Sequence, residues 1–451
     1  IVAAAIMTPV TGWLADRLGR KQLFLISIIG FVATSMLCGI AWNLEVMVLF
    51  RLLQGVFGAA IVPLSQTFLL DINPRERHGQ AMAIWGAGIM VGPIIGPTLG
   101  GWLTESFNWR WVFFINLPVG ILAFLGTAAS MSSDRSRPSR FDWSGFLFLA
   151  VGIAALQLML DRGNDKDWFN STEIGIELGL ALLGFYLYWV HWRGRQESFV
   201  DIGLLRDRNF GVASLFMFVI GVVLFATMSL LPPYLQHLMD YPVVSVGLLL
   251  MPRGVGTLVS MMVVGRLMAR QIDPRLPVAV GILLTSVSLW MMSRFTADVP
   301  VWPIVNSGIV QGIGLGLVFV PISTLAYTSL PARARTEAAG IYSLVRNLGS
   351  SIGISIMFAL VARYTQINHA EIVANLTPFG HTPLSVLNGV PGGLAGLNAE
   401  VTRQAAAIAY LNDFWLMSWM TLATLPLLLL FRVPSRPAVI ARPLRTQGNR
   451  L

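Results

Sequence analysis

An all-α polytopic membrane fold is what this sequence predicts, on three observations. Of its 451 residues 55% are hydrophobic and only 12% charged, against about a quarter charged in a soluble domain. The apolar residues come in blocks of about 20, long enough at about 1.5 Å rise per residue to cross a hydrocarbon core of roughly 30 Å. Short loops rich in arginine separate the blocks. The net charge of +9 points at first to nucleic acid. Basic residues that sit mostly in loops between spans are instead a topology signal, and no nucleic-acid partner is expected.

The elements follow in order. Ile1 already lies in an apolar segment, so a partial span is expected over roughly 1–13, with a further helix expected before it and absent from this chain. Spans are expected at about 23–42, 45–70, 81–103, 110–131, 142–161 and 173–192. Others follow at about 209–233, 242–265, 275–294, 302–328, 339–362 and 411–431, giving about thirteen, or about fourteen with the missing helix. With the loop Asp16–Lys21 placed inside, roughly 22 of the 31 Lys and Arg fall inside and about 6 outside. This puts the basic tail, 432–451, in the cytoplasm. The pattern divides the chain into a helical bundle over 1–131, an inserted helix pair with its flanking loops over 132–208, and a second bundle over 209–431. The second bundle includes an outer loop, 363–410, as the one large segment outside the membrane.

The two bundles carry a repeat. Gln54-Gly55 followed by Pro63 and Ser65 recurs as Gln311-Gly312 followed by Pro321 and Ser323. Gly12-Trp13-Leu14 has a weaker echo in Gly265-Arg266-Leu267, with Ala269 where the first copy has Asp16. Duplicated bundles of this kind enclose a binding site near the bilayer midplane and work by rocking about it.

Three segments carry residues that plain spans do not need. In the first, Gly12 to Lys21, Gly12 admits a neighbouring helix. Asp16 stands at a helix end, where Arg20 or a basic residue of the other bundle pairs with it. Such a pair holds one side closed and breaks when the bundles rock; the alternative is a simple anchor made of Arg17, Arg20 and Lys21. In the second, Arg51, Gln54 and Gly58 share one helical face, with Gly55 beside them. A charge at this depth is costly and faces protein or water, as a partner of a titratable carboxylate or as a structural donor. In the third, Gly88, Gly92, Gly96 and Gly100 form one stripe continued by Gly101, with Pro93 and Pro97 to bend the helix. A hinge or a tight inter-bundle contact is expected there. Arg253 beside Pro252 reads either as a kink neighbour or as a pocket residue.

These segments resemble motifs A, B and C of the major facilitator superfamily. The run Asn108-Trp109-Arg110 to Asn116-Leu117-Pro118-Val119-Gly120 is similar to a signature of its fourteen-spanner drug:proton antiporters, the EmrB/QacA type, as are Pro252-Arg253-Gly254 and Arg346-Asn347-Leu348-Gly349. The resemblance implies two six-helix bundles plus two inserted helices and export of hydrophobic toxic compounds against protons. It implies that Gly12, Asp16, Arg17, Gly19 and Arg20 form a conformational gate. Arg51, Gln54 and Gly55 then serve proton coupling, and the glycines and prolines from Gly88 to Gly101 form the antiporter motif. The acid that the family carries in its first helix would lie in the absent segment. The loop 363–410 looks like that of pumps working with a periplasmic adaptor of the membrane-fusion type and an outer-membrane channel. A transporter of the same fold for fatty acids, a siderophore or a metabolite is the alternative.

Enzymatic readings find little chemistry. The five histidines are scattered over loops and span ends, and the lone cysteine, Cys38, sits inside a span. No phosphate-cradling Gly-x4-Gly-Lys stretch occurs; the lysines are Lys21 and Lys166. No cofactor and no metal is expected. For a substrate cavity the sequence offers adaptable apolar residues on the first span of the second bundle, Met217, Phe218, Phe225 and Met228, which serve equally well as lipid-facing packing. Polar candidates are Gln66, Asn306, Gln311, Arg346 and Asn347, because polar groups in spans favour the bundle interior.

Overall fold

The computed structural model describes residues 2–74, 77–131, 141–194, 200–270, 272–296, 298–331, 334–376 and 393–432, with the side chains of Pro93 and Pro97 outside that set. The described residues are helical almost throughout. Twelve of the resulting segments are long and apolar enough to cross a membrane, and each expected full span has one counterpart. The partial first span forms α1 (Val2–Met7), a 3-10 turn (Thr8–Val10) and α2 (Thr11–Leu18). Then come α3 (Arg20–Gly39), α4 (Leu44–Gly58), α5 (Ile61–Ile72), α6 (His78–Ser106), α7 (Trp111–Phe114) and α8 (Asn116–Ser130). The inserted pair is α9 (Trp143–Arg162) and α10 (Thr172–Gly194). The second bundle is built from α11 (Arg208–Pro233), α12 (Val243–Ala269), α13 (Arg275–Met292), α14 (Val301–Thr328), α15 (Arg335–Asn375) and α16 (Gly393–Leu422).

Local chemistry sets the boundaries. Gly19 at φ 83° separates α2 from α3, a backbone state that a Cβ would oppose. Asn43 accepts the Val46 N–H at 2.8 Å and starts α4; Asp207 does the same for Phe210 at 2.9 Å and starts α11. Pro63 falls in the first turn of α5, where a missing N–H costs nothing, just after the break at Ala59-Ala60. Its repeat partner Pro321 sits inside the unbroken α14.

The outer loop expected at 363–410 is different in the structure. α15 runs on to Asn375 and α16 begins at Gly393. At 41 residues α15 is about 60 Å long, roughly twice the hydrocarbon thickness. Its far half pairs with the start of α16: Asn368 Nδ2 donates to the Ala405 carbonyl at 3.2 Å, and His369 Nε2 lies 3.1 Å from Asn398 Oδ1. Hydropathy marks where a helix leaves the membrane, not where it stops, and Ala, Glu, Gln and Arg in these stretches are good helix formers in water. Residues 377–392, with Pro378 and His381, lie outside the described set.

The bundles meet along two seams. α6 of the first bundle lies against α12 of the second for most of its length. A Cβ on Gly247 would come within 3.0 Å of the Thr98 backbone, and one on Gly265 within 2.6 Å of the Ala83 side chain. In lipid, helices associate through such close packing, since burial from lipid brings no hydrophobic gain. Near this seam Trp85 stacks on Phe319 of α14 at 6.0 Å. The second seam joins α2 to the start of α15. The inserted α9 also packs on α15, with Ser351 Oγ donating to Gln157 Oε1 at 2.8 Å.

Candidate transport site and gate

The segment expected to form the gate, Gly12 to Arg20, lies on the second seam at the end of the molecule that carries the basic loops. Gly12 lies against α15, its missing Cβ only 3.2 Å from Glu337 Cα; Gly340 of α15 lies as close to the Thr8 carbonyl, at 3.0 Å. The charge that joins the bundles is Asp71, at the end of α5. One oxygen pairs with Arg20, at the start of α3, and the other with Arg335 of α15 at 2.9 Å. Glu337 accepts the backbone N–H of Asp201 and so ties the linker before α11 to the same place. Lys21 donates to the carbonyls of Ala128 and Met131 at 2.8 and 2.5 Å, a cation on the C-terminal end of α8.

The expected carboxylate of this gate, Asp16, is exposed and appears in no ion pair among the described residues. Arg17 is exposed and lies over the Trp13 ring at 5.2 Å. Asp16 sits on the solvent side of α2, whereas α5 ends beside Arg20. Sequence spacing cannot show that proximity; the signal available was an acid at a span end facing a basic loop.

Arg51 is exposed on α4, donates to Gln54 Oε1 at 3.0 Å and lies 4.5 Å from the Phe113 ring. Gln54 is buried, and Gly55 faces Ala3 and Ala4 of α1. No carboxylate among the described residues pairs with Arg51.

The segment expected to be the antiporter motif packs by the face opposite to the expected one. A Cβ on Gly88, Gly92, Gly96 or Gly100 would meet nothing within 4 Å. The residues in contact are Met90, Ile94 and Thr98, two positions along the chain and so about 200° round the helix. Small residues of both helices serve the contact: Gly247 and Gly254 of α12 receive Thr98 and Ile94, while Gly79, Gly86 and Gly101 of α6 meet Met268, Met261 and Val244. Pro93 and Pro97 lie within the continuous α6, with side chains outside the described set.

Beside this contact lies an apolar cavity. α6 contributes Met90 and Ile94, α11 contributes Ile220, Leu224 and Met228, and α14 contributes Leu315 and Phe319. α12 supplies Met261, Thr257 and Arg253. Arg253 is 5% exposed, and its Nη2 has no hydrogen-bond partner among the described residues. A single guanidinium with an idle donor in an apolar chamber is the strongest polar feature of the site.

The expected lining residues distribute unevenly. Met228 lines the cavity, on the α11 row that includes Ile220 and Leu224. Met217, lower on that row, is wholly buried in the core; Phe218 abuts Gly349 of α15, and Phe225 packs against the core. Gln66 is buried and accepts the Tyr327 hydroxyl at 3.2 Å, a bond from α5 to α14. Gln311 is fully buried and reaches Thr227 Oγ1 at 3.5 Å with Nε2, leaving its Oε1 without a partner among the described residues. Asn306 is exposed on α14. Arg346 and Asn347 are half-buried on α15, Arg346 in electrostatic reach of Tyr327 and Tyr342. The sequence reading missed Asp71, Arg335, Tyr327, Met90 and Met261.

Two helical bundles, an apolar chamber between them and an ion-paired seam at one end define a membrane transporter. The sequence profile of the Major Facilitator Superfamily matches residues 1–354, and the chain belongs to that superfamily. The multidrug export protein EmrB of Haemophilus influenzae is 33% identical over 426 residues, covering 92% of this chain and 83% of its own. The fatty acid resistance protein FarB of Neisseria gonorrhoeae is 32% identical, covering 96% and 87%. Among solved structures, the human organic anion transporter MFSD10 (TETRAN) superposes with a TM-score of 0.58 over 93% of this chain and 81% of that one. At 15% identity it bears on the fold alone.

Proposed function

We propose that the protein exports small hydrophobic and amphiphilic compounds from a bacterial cytoplasm in exchange for protons, by rocking of its bundles about the central chamber. The observation that carries this reading is the chamber itself. It is apolar and methionine-rich, and it is built from α6 of one bundle and α11, α12 and α14 of the other. Methionine side chains adapt to varied ligands. The resemblance of the whole chain to EmrB supports export and multidrug range. The gate supports a carrier that alternates between two closed states, because the pair of Asp71 with Arg335 joins the bundles only while they are together. In this reading the protein sits in the inner membrane with the basic end cytoplasmic. The helical extension of α15 and α16 on the other side gives a periplasmic adaptor, and through it an outer-membrane channel, a surface to meet. The role is carriage rather than catalysis.

A second, narrower reading concerns the substrate. Arg253 offers an idle donor and a charge inside the chamber, which favours amphiphiles with an anionic head, such as fatty acids; the relative FarB is named for fatty acid resistance. The test is reconstitution in sealed liposomes with an imposed pH difference. Uphill movement of a lipophilic dye that collapses with a protonophore is expected; dye movement indifferent to the gradient would overturn proton exchange.

A further inference from the structure

α16 carries an acid that the scheme above does not use. Asp413 is 1% exposed, and neither carboxylate oxygen has a hydrogen-bond partner among the described residues. The helices packed on α16 are α11, α13 and α15. α11 and its extension carry no charged residue between Asn209 and Gln236, α13 none between Leu276 and Ser293, and α15 none between Asn347 and Ala362. The titratable groups near Asp413 are Tyr410, one turn earlier on α16, and Tyr234, whose ring lies 5.7 Å from that of Tyr410. On α16 itself Arg403 is held by Glu400 at 2.8 Å, more than two turns away.

A lone carboxylate charge in such surroundings has neither a cation nor a donor to balance its lost hydration, so the site holds the neutral acid. As a structural element that acid is a liability: it caps no helix and bridges no pair. Polar groups of this kind within membrane spans are retained for ion and proton movement. A polar line also leads from it towards the chamber. Met417, one turn on, has its sulfur 3.9 Å from Thr227 Oγ1, and Thr227 meets Gln311, whose Oε1 is idle. Gln311 precedes Gly312, which lies on the backbone of Arg253.

We propose that Asp413 is a proton-carrying residue of the second bundle, protonated and sealed in this conformation and releasing its proton when the bundles rock. The step is simple acid dissociation: the carboxylic O–H breaks, water takes the proton, and the carboxylate left behind is hydrated by the opened crevice. This deepens the proton-exchange reading and rests on it. It gives the carrier a titratable group independent of the gate.

The test compares wild type, Asp413→Asn and Asp413→Glu in proteoliposomes loaded with a pH-sensitive dye. Three readings are taken: uphill transport of a lipophilic dye under a pH difference, protons moved per dye, and dye exchange with no gradient. For Asp413→Asn the expected result is at least a tenfold loss of uphill transport and a lower proton count, with gradient-free exchange within about twofold of wild type. Exchange that survives shows the protein folded. Asp413→Glu is expected to restore uphill transport with a displaced pH profile. An Asn variant with wild-type uphill transport and proton count overturns the assignment while leaving proton exchange standing. Should the Asn variant give no exchange at all, the Glu variant decides, and a wild-type pH profile there overturns the assignment. A wild type that ignores the gradient overturns the antiport reading itself, and this proposal with it.

Discussion

The repeated Gln-Gly segment sits in opposite surroundings in its two copies. Both glutamines are buried, but in the most apolar 18-residue stretch of 44–72 only 22% of the residues are buried, against 78% in that of 301–328, so the same short motif lies in a sparsely packed span in one bundle and in a densely packed one in the other. The cation differs as well. Arg51 stands one turn before Gln54, and the matching position before Gln311 is Gly308. There the neighbouring helix supplies the charge, with Arg253 Cβ within 3.5 Å of where a Gly308 side chain would begin. The comparison teaches that the duplication preserves the helix contact and not the owner of the charge. One bundle carries its guanidinium exposed and paired with Gln54, and the other carries it buried and unpaired beside the chamber.

The largest expected effect breaks that comparison at the glycines. A Cβ at Gly312 lands on the Arg253 carbonyl and the Thr257 amide, both backbone atoms that cannot swing aside. One at Gly55 comes to 3.1 Å from Ala3 Cβ, a contact that a small shift of α1 relieves. Gly312→Ala should destabilise the protein by about 2 kcal/mol and Gly55→Ala by well under that. Unfolding midpoints of the two variants in detergent check it; equal midpoints would show that the second bundle yields as easily as the first.

The guanidiniums come next. Arg253→Gln should weaken transport of carboxylate amphiphiles about tenfold, on the basis of about 1.5 kcal/mol for a hydrogen bond to a charged group, and leave neutral ones unchanged. The change should appear in KM. Arg51→Gln, if Arg51 serves proton coupling, should lower uphill rates and shift their pH dependence with KM intact. Identical profiles for the two variants would mean that position in the repeat does not divide the roles.

The sequence made the spans, their order and the repeat legible because each rests on local composition and spacing. A run such as 209–233 is apolar whatever surrounds it. What stayed hidden depends on which helices touch. The stripe Gly88, Gly92, Gly96 and Gly100 reads as a packing face, yet those four meet nothing, and the glycines at the contact are Gly247 and Gly254 of the partner together with Gly79, Gly86 and Gly101 of α6. Asp16 reads as the gate acid by proximity in sequence, yet the end of α5 brings Asp71 to Arg20 across the fold. On α11 the hydrophobicity is nearly uniform, so nothing separates Met228, which lines the chamber, from Phe225, one notch round the helix. The outer loop failed for another reason: polarity ended the span while the helix continued.

The smallest expected effect lies at the gate, and it sharpens the contrast between a charge that joins the bundles and one that belongs to a single bundle. Asp71 is about a quarter exposed, as is Arg20, so water screens their pairing; Arg335 is more deeply set. Exposed pairs contribute up to about 1 kcal/mol each. Only the Arg335 pair crosses from one bundle to the other, so Asp71→Asn should raise the open population of the α2–α15 seam by roughly fivefold, on a loss of about 1 kcal/mol. Thr11→Cys reports on this, since Thr11 is buried on α2 and the native Cys38 is buried and silent. Maleimide labelling at Thr11→Cys should rise about fivefold in the Asp71→Asn background. Added salt should raise it in the parent and hardly at all in the variant, because screening removes only what the pairs supply. A labelling rate that ignores both Asp71→Asn and salt would leave the seam held by the Gly12 and Gly340 contacts alone, and the gate would then be a packing lock rather than an electrostatic one.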